Sequence, residues 1–310
     1  MSCRTVLWAT CAQVPEGDPD DHLALPAVHE AGLAVRYQVW DDPAADWSWP
    51  TVVRSTWDYT TRRDEFLAWA AGVPTLLNPA EVLAWNTDKA YLGELEAAGL
   101  AVVPTTVLRA GDDVAAAVRA ALGSATEVVV KPTVSAGSRD TRRHRVATAA
   151  ATHAEQLLGE GRPVLLQPYL DAVDTVGETG MVVVDGVVSH AFRKGQLLHA
   201  DAPATDGLYA EEDITATTAT PQQLELAHQV TAWLARRFPV HAPLLYARVD
   251  TVPGPDGHPL LLELELTEPS LWLVADPGAG SAFAAALRRR VDLVARGPGA
   301  VDDEMSPTGG

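Results

Sequence analysis

The sequence has few of the features that mark several large classes of protein. It contains only two cysteines, Cys3 and Cys11, which flank a predicted first strand without metal-like spacing, so neither a disulfide framework nor a cysteine metal site is indicated. Nowhere do about eighteen apolar residues run together, as a membrane span requires. These absences lead us to expect a protein of the cytoplasm.

Positive charge is also scarce. Against 41 Asp and Glu there are 23 Lys and Arg, which leaves a net charge of −18. Such a field repels phosphate backbones and anionic lipids, so neither nucleic acid nor a membrane is an expected partner. A small anion can still bind where basic residues are concentrated. The motifs G-x-x-x-x-G-K-[ST] and G-x-G-x-x-G do not occur, so P-loop and Rossmann dinucleotide sites lose their main support.

Alternating strand and helix patterns predict an α/β (α+β) fold of two or three subdomains. We predict a doubly wound α/β domain over 1–78, a small central subdomain over 79–170, a C-terminal mixed-sheet subdomain over 171–296 and a disordered tail over 297–310. The predicted N-terminal elements are strands Thr5–Ala9, Ala34–Trp40 and Thr51–Arg54 and helices Asp21–Ala31 and Thr61–Gly72. Later helices are predicted at Pro79–Trp85, Asp88–Ala98 with Thr87 as N-cap, Asp112–Leu122, Thr220–Phe238 and Ser281–Ala295.

Two hairpins are predicted in the C-terminal part. The pair Asp185-Gly186 between apolar runs is typical of a two-residue type I′ turn. With Val184 opposite Val187 and a constant register, Glu178 is predicted to lie across from Arg193. The second hairpin joins 244–250 to 259–267.

The strand Leu260–Leu266 carries the first candidate site. Its alternation places Leu262, Leu264 and Leu266 on one face and Glu263 and Glu265 on the other. Across the hairpin, Arg248 and Asp250 face the same way as the glutamates. Oxygen ligands gathered without His or Cys suit Mg²⁺, although glutamates on a solvated strand would give the same pattern.

A second candidate follows the predicted strand Val128–Lys131. The small-residue loop 133–139 comes directly after Lys131 and Pro132. Backbone N–H groups and hydroxyls of such a loop can hold phosphate oxygens, with the lysine as a point charge. An ordinary turn is the alternative.

Seven stretches of the sequence occur in a recognisable order, namely NPAEVLAWNTDK (78–89), VVKPTVSAGS (129–138), LQPYL (166–170), GETGMVVVDG (177–186), FRK (192–194), ARVD (247–250) and ELELTEP (263–269). In this order they resemble the ATP-grasp superfamily, in particular its glutathione synthetase-like and D-alanine ligase-like carboxylate-amine ligases. The segments RSTWDY (54–59) and SHAFRK (189–194) are most similar to the ligase subgroup that closes the ring in cycloserine biosynthesis.

The resemblance implies a role for each matched residue. Arg193 and Lys131 would be catalytic, Asp250, Glu263 and Glu265 would bind metal, and Arg54, Asp58, Arg193 and Glu268 would bind substrate. The alternative for Arg54 and Asp58 is interdomain packing. The family's usual Glu-x-Asn reads Glu-x-Glu here, which makes the metal site more acidic. The nucleotide-binding residues would be Lys89, Lys131, Ser135, Ala136, Gly137, Ser138, Gln167, Tyr169, Leu170, Asp174 and Glu178.

The resemblance further implies ATP and two Mg²⁺ as cofactors and a small carboxylate, an amino acid or its derivative, activated as an acyl phosphate. An amine then forms an amide bond, in specialised metabolism. Two alternatives stay open, an intramolecular cyclo-ligase and a non-catalytic nucleotide-binding regulator. The 195–213 stretch is a candidate substrate-selecting loop. Such ligases are often homodimers, but no interface signature stands in the sequence.

Overall fold

The computed structural model describes residues 3–195 and 213–296. The predicted tail 297–310 and all but the two end residues of the predicted loop 195–213 lie outside these residues. The described chain forms three β-sheets with helices packed between and around them, so the mixed α/β prediction is confirmed. Among the described helices, none is long and apolar enough to cross a membrane.

The N-terminal sheet is parallel and three-stranded, in the order β2-β1-β3. Its strands are β1 (Arg4–Thr10), β2 (Leu33–Val39) and β3 (Thr51–Ser55), and its helices are α1 (Leu25–Glu30) and α2 (Arg63–Gly72). The helix predicted over 21–31 is two pieces, a 3-10 segment Pro19–Ala24 and α1. Pro26 explains the division, because proline lacks the N–H that a continuous helix needs. A second 3-10 segment, Trp57–Thr61, precedes α2.

The central sheet is antiparallel, in the order β4-β7-β5-β6, and packs against two helices. Its elements are β4 (Thr106–Leu108), α5 (Val114–Ser124), β5 (Val128–Pro132), β6 (Arg142–His144), α6 (Ala147–Gly159) and β7 (Val164–Pro168). The small-residue loop predicted after Lys131 connects β5 to β6.

The C-terminal sheet is antiparallel, in the order β10-β9-β8-β11-β12. It contains β8 (Glu178–Val184), β9 (Val187–Lys194), β10 (Ile214–Thr217), β11 (Tyr246–Pro253) and β12 (Pro259–Glu265). Its two faces belong to different cores, because Val182 and Val184 pack towards β1 whereas Met181 and Val183 pack on the opposite side. The helices involved are α3 (Ala80–Asn86), α4 (Tyr91–Ala97) and α8 (Pro221–Arg237) on that opposite side, α9 (Ala279–Arg296) on the β1 side, and the short α7 (Ala172–Thr175).

Two local predictions about helix starts have different outcomes. Thr220 caps α8 and Gln223 completes the capping box, as predicted. Thr87, however, is not the N-cap of α4. It ends α3, and its hydroxyl accepts a hydrogen bond from Arg63, whereas α4 begins three residues later than predicted, at Tyr91.

The first hairpin has the predicted turn and a different register. Asp185 and Gly186 have φ of 52° and 84°, as a type I′ turn requires. Between Val182 and Val183 the register shifts, because β9 carries one extra residue at that point. The predicted pairing of Glu178 with Arg193 is therefore wrong, and Glu178 lies opposite Lys194.

A second register shift changes the face of one leucine in β12. Asp250 pairs with Glu263, but the next residue, Thr251, pairs with Leu261, so Leu262 is left over in the ladder. Leu261 takes its place in the core beside Leu264, and the prediction that Leu262 faces the core is wrong. Leu262 lines the main cavity instead.

Candidate active site

A cavity of about 490 Å³ lies between the central and C-terminal sheets, with the N-terminal domain at one end. That volume suits a small-molecule site. The central sheet supplies one wall through β5, β7 and the loop after β5, and the C-terminal sheet supplies the other through β8, β9, β11 and β12. The predicted residues that line it are Lys89, Lys131, Ser135, Ala136, Gly137, Ser138, Gln167, Tyr169, Leu170, Glu178, Glu263, Glu265 and Glu268.

Two lysines enter this cavity from different elements. Lys89 lies between α3 and α4, and its Nζ donates to the carbonyl of Ser135 and lies 3.0 Å from Oε1 of Glu263. Lys131 extends from β5 and is equally buried. Burial lowers the pKa of Lys131, the nearby positive charge of Lys89 adds to this effect, and Glu263 opposes it. Lys89 therefore ties the small-residue loop to the acidic strand β12.

Three carboxylates of the hairpin β11–β12 lie on the same face of the sheet, as predicted, and each contacts a basic side chain. Asp250 receives hydrogen bonds from Arg248 and from Lys194, whose Nζ lies 2.8 Å away, and Arg248 also contacts Glu265. Burial raises the pKa of Asp250, but Arg248 and Lys194 outweigh it and hold that pKa below its usual range. For Glu265, burial prevails and the pKa is raised, because Glu263 and Asp250 add their negative charge.

Asp250, Glu263 and Glu265 do not by themselves form a complete set of metal ligands. Within 3–195 and 213–296, no group of three His, Cys, Asp or Glu side chains is gathered closely enough to hold a metal ion. Glu263 and Glu265 line the cavity, whereas Asp250 is 1% exposed and does not. The ligand chemistry nevertheless fits Mg²⁺, since two carboxylates face a cavity that also holds cations for phosphate oxygens.

The loop after β5 has the backbone that close approach to an anion requires. Gly137 and Ser138 have successive positive φ values of 57° and 59°. Turns of this kind direct backbone N–H groups into a concavity. On β7, the side-chain amide nitrogen of Gln167 donates to the hydroxyl of Thr105, and Gln167 lines the cavity with Tyr169 and Leu170.

Besides Asp250, four predicted site residues do not line the cavity. Arg193 is exposed on the other face of β9, because of the register shift. Asp174 accepts hydrogen bonds from Arg143 and from the hydroxyl of Tyr169. Arg54 and Asp58 are buried and engaged elsewhere.

The buried pair of Arg54 explains its position. Its guanidinium binds Asp21 with an Nη2–Oδ1 distance of 2.6 Å, and both side chains are 1% exposed. Nη2 also donates to the carbonyl of Pro269, so Arg54 joins the N-terminal domain to the segment after β12. Asp58 binds the indole of Trp40 and the guanidinium of Arg62. The alternative of interdomain packing describes Arg54, whereas both partners of Asp58 belong to the N-terminal domain itself.

Sequence reasoning assigned no role to several residues that line the cavity. Lys194 is the most consequential, because the extra residue in β9 turns it inward in place of Arg193. Arg248 was recognised as a neighbour of the carboxylates, and it lines the cavity as well. The N-terminal end is lined by Asp18, Asp20, Trp57, Tyr59, Ser270 and Trp272. Of these six residues, only Trp57 and Tyr59 lie in the segment 54–59 that the sequence had indicated as a substrate-binding region.

Glu268 lies at this N-terminal end, and its carboxyl group has a strongly raised pKa. Burial and the negative charge of Glu265 raise its pKa to about 8, while Lys89 and a hydrogen bond with Tyr59 oppose the rise. At neutral pH it is therefore largely protonated, and a nearby ammonium or metal ion would favour its ionised form.

Comparison with known proteins gives three findings. A family model described as the N-terminal domain of D-cycloserine synthetase DcsG matches residues 6–78. The cycloserine biosynthesis protein DcsG of Streptomyces lavendulae is 39% identical over 284 residues, which cover 86% of this chain and 92% of that protein. The crystal structure of D-cycloserine synthetase DcsG superposes with a TM-score of 0.84 at 36% identity, covering 93% of this chain and 99% of that chain.

More distant structures share the fold. The ATP-grasp ligase PsnB has a TM-score of 0.59 at 19% identity, covering 94% of this chain and 100% of that chain. D-alanyl-alanine synthetase A of Vibrio cholerae has a TM-score of 0.64 at 15% identity, covering 94% and 98% respectively. Taken with the 39% identity to DcsG, these findings show that the chain belongs to the D-cycloserine synthetase family of ATP-grasp ligases, enzymes that form carbon–nitrogen bonds.

Proposed function

We propose that this ligase uses ATP to activate a small carboxylate, an amino acid or its derivative, as an acyl phosphate that an amine then converts to an amide. One observation carries the proposal. Four cationic side chains, Lys89, Lys131, Lys194 and Arg248, meet the pair Glu263 and Glu265 across one cavity, under a loop with consecutive positive φ values. Phosphoryl transfer needs this combination of positioned cations and oxygen ligands.

The nucleotide would lie along the central sheet. Val129, Gln167, Tyr169 and Leu170 offer an apolar slot with backbone and amide groups for a purine, and the 135–138 loop would cover the phosphates. When bound, ATP supplies the phosphoryl group and Mg²⁺ offsets its charge. Glu263 and Glu265 would hold the metal, with Asp250 behind them. The proposal also includes two metal ions and a contact between Asp174 and the ribose. It keeps the domain boundaries predicted after residues 78 and 170.

The positively charged side chains of the cavity would offset the negative charge of the phosphoryl group as it is transferred. Lys131 and Lys194 lie on opposing walls, and Arg248 lies between Asp250 and Glu265. Negative charge on the transferring oxygens would draw these side chains from their present carboxylate partners, which are then available to the metal. In this proposal Lys194 and Arg248 take the role that the resemblance gave to Arg193.

The carboxylate substrate would lie at the N-terminal end. Arg248 lines the cavity and reaches that end through its bond to the Ser270 carbonyl, and the acids there are Asp18, Asp20 and Glu268. Opposite charges on two sides suit a zwitterionic amino acid. Arg54 and Asp58 would act indirectly, by holding Pro269 and the Trp57–Thr61 segment.

Intramolecular ring closure is the second candidate function. It is favoured by the 39% identity to a cycloserine biosynthesis protein and the TM-score of 0.84 to a D-cycloserine synthetase. A cyclising enzyme would release ADP with one substrate that carries both the amine and the carboxylate. An intermolecular ligase would need two. A regulator without turnover is disfavoured, because the cationic and acidic residues of the cavity are all in place.

The test is a screen of amino acids and their O-substituted derivatives, singly and in pairs, for ADP release with mass identification of the product. We expect ADP only with a carboxylate present, and Glu263→Gln should abolish the response to magnesium. Glu155→Gln, on an exposed face of α6, is the matched control. Tight binding of Mg·ATP without ADP release from any carboxylate would contradict the proposal.

A further inference from the structure

The strand β12, which carries Glu263 and Glu265, lies at the edge of the C-terminal sheet. Among the described strands it has a neighbour, β11, on one side only. The alternation of the ladder turns the backbone N–H and C=O groups of Leu264 and Leu266 away from β11, to the outer edge. Backbone groups on such an edge are open to water or to a further strand unless another part of the chain covers them.

Side chains take the place of a further strand along this outer edge. The hydroxyl of Tyr91 accepts a hydrogen bond from the backbone N–H of Leu264 at 2.9 Å and donates to the carbonyl of the same residue at 2.8 Å. The side-chain amide of Asn86 accepts from the N–H of Leu266 and donates to the carbonyl of Leu264, both at 2.7 Å. Asn78 donates to the carbonyl of Leu266 at 2.7 Å. All four outward backbone groups are therefore bonded to side chains.

Two of these side chains come from the segment that also supplies Lys89. Asn86 ends α3, Tyr91 begins α4, and Lys89 lies between them. The backbone N–H of Lys89 donates to the first residue of the small-residue loop at 2.8 Å, and its Nζ lies 3.0 Å from Oε1 of Glu263. This short segment therefore contacts the loop after β5 on one side of the cavity and β12 on the other.

We propose that Asn86 and Tyr91 are positioning residues of the magnesium site, which hold the backbone of β12 so that Glu263 and Glu265 both face the cavity. The inference rests on the proposed function and deepens it by naming what orients the metal ligands. Each side chain acts through Leu264, the residue between the two carboxylates. Both are themselves buried, so their bonds to β12 are shielded from water.

These bonds matter because the ladder with β11 is interrupted beside the site. The register shifts at Leu262, one residue before Glu263. Loss of the Tyr91 hydroxyl would leave the buried N–H of Leu264 without that partner, which is costly, and a strand that moves to satisfy it carries its carboxylates with it. Groups that orient metal ligands typically change metal affinity by about 10–100-fold when they are removed.

The test compares the wild type with Tyr91→Phe, which deletes one hydroxyl and keeps the ring, and with Asn86→Ala. Tyr246→Phe is the matched control, because its hydroxyl is similarly buried and also bonds to backbone, at the carbonyls of Val53 and Thr267 outside β12. The probe is a non-hydrolysable ATP analogue, titrated calorimetrically at saturating Mg²⁺ and again in EDTA. Urea unfolding measures the stability that each variant loses.

We expect Mg²⁺ to tighten binding of the analogue equally in the wild type and Tyr246→Phe. In Tyr91→Phe and Asn86→Ala this gain should be about tenfold smaller, while the affinity in EDTA stays within about threefold of wild type. An unchanged gain in either folded variant, or an equal loss of it in Tyr246→Phe at similar stability, would overturn the assignment. A wild type whose affinity for the analogue does not respond to Mg²⁺ would contradict the proposed function instead.

Discussion

Carboxyl groups in and directly behind this cavity have pKa values that differ from those in solution, because burial and neighbouring charge act on them together. Asp250 and Glu268 show the two outcomes. Both are buried, yet Arg248 and Lys194 keep the pKa of Asp250 low, whereas the pKa of Glu268 is raised to about 8 beside Glu265. A carboxyl that is buried among other acids is protonated unless a cation approaches. Glu268 is therefore suited to respond to a positively charged substrate group.

The raised pKa of Glu268 predicts a dependence of stability on pH. Its contribution to stability is fully present below the unfolded value of about 4.5 and is lost as pH rises through the folded value of about 8. Glu268→Gln has no carboxyl group to ionise, so this loss of stability with rising pH does not occur in the variant. Between pH 5 and pH 8 its free energy of unfolding should therefore rise relative to that of wild type, by about 3–4 kcal/mol.

Urea unfolding of metal-free protein at the two pH values measures this difference. Glu155→Gln, which changes an exposed glutamate of α6, should show an equal difference from wild type at both values. A Glu268→Gln difference that stays constant with pH, or changes in the opposite direction, would show that the carboxyl is not protonated in the folded state.

At the scale of elements, the strand registers decide which side chains reach the cavity. The turn Asp185-Gly186, the capping box of α8 and the convergence of the β11–β12 acids could be predicted, because each depends on residues close in sequence or directly paired. The two register shifts could not. No glycine or proline marks the extra residue in β9 or the position of Leu262, so neither shift has a local signal in the sequence.

The extra residue in β9 predicts opposite outcomes for two neighbouring substitutions. Lys194→Met removes a buried ammonium from the cavity and from Asp250, so kcat/KM should fall by at least about 100-fold. Arg193→Met changes an exposed side chain on the other face and should stay within about threefold of wild type. Steady-state ADP release measures both variants, and a larger loss for Arg193→Met would restore the register predicted from the sequence.

At the scale of the whole molecule, the N-terminal sheet and the C-terminal sheet are joined through buried polar groups. The side chain of Asn78 exchanges hydrogen bonds with the backbone of Tyr246, Leu266 and Leu245. Arg54 adds the link to Pro269. The sequence indicated separate subdomains, and it could not show these links because each spans more than 150 residues. The links fix the N-terminal wall of the cavity against β11 and β12.

The Arg54–Asp21 pair gives a test of this connection. Arg54→Met leaves the Asp21 carboxylate buried without its partner and should lower the free energy of unfolding by about 3–5 kcal/mol. Arg54→Met combined with Asp21→Asn should recover most of that loss, because neither charge is then buried. Chemical denaturation of the two variants measures the effect. A large rise in KM at unchanged stability would instead support the direct substrate contact that the sequence suggested.

The central claim is that a substrate carboxylate oxygen attacks the γ-phosphorus of ATP and leaves with the phosphate. A substrate found by the ADP screen, labelled with ¹⁸O at both carboxylate oxygens, tests it most directly by mass spectrometry of the released phosphate. One carboxylate oxygen becomes the bridging atom of the acyl phosphate, and attack by the amine breaks its bond to carbon. We therefore predict one ¹⁸O in each phosphate and one in each amide. Unlabelled phosphate, or release of AMP and pyrophosphate, would contradict this account.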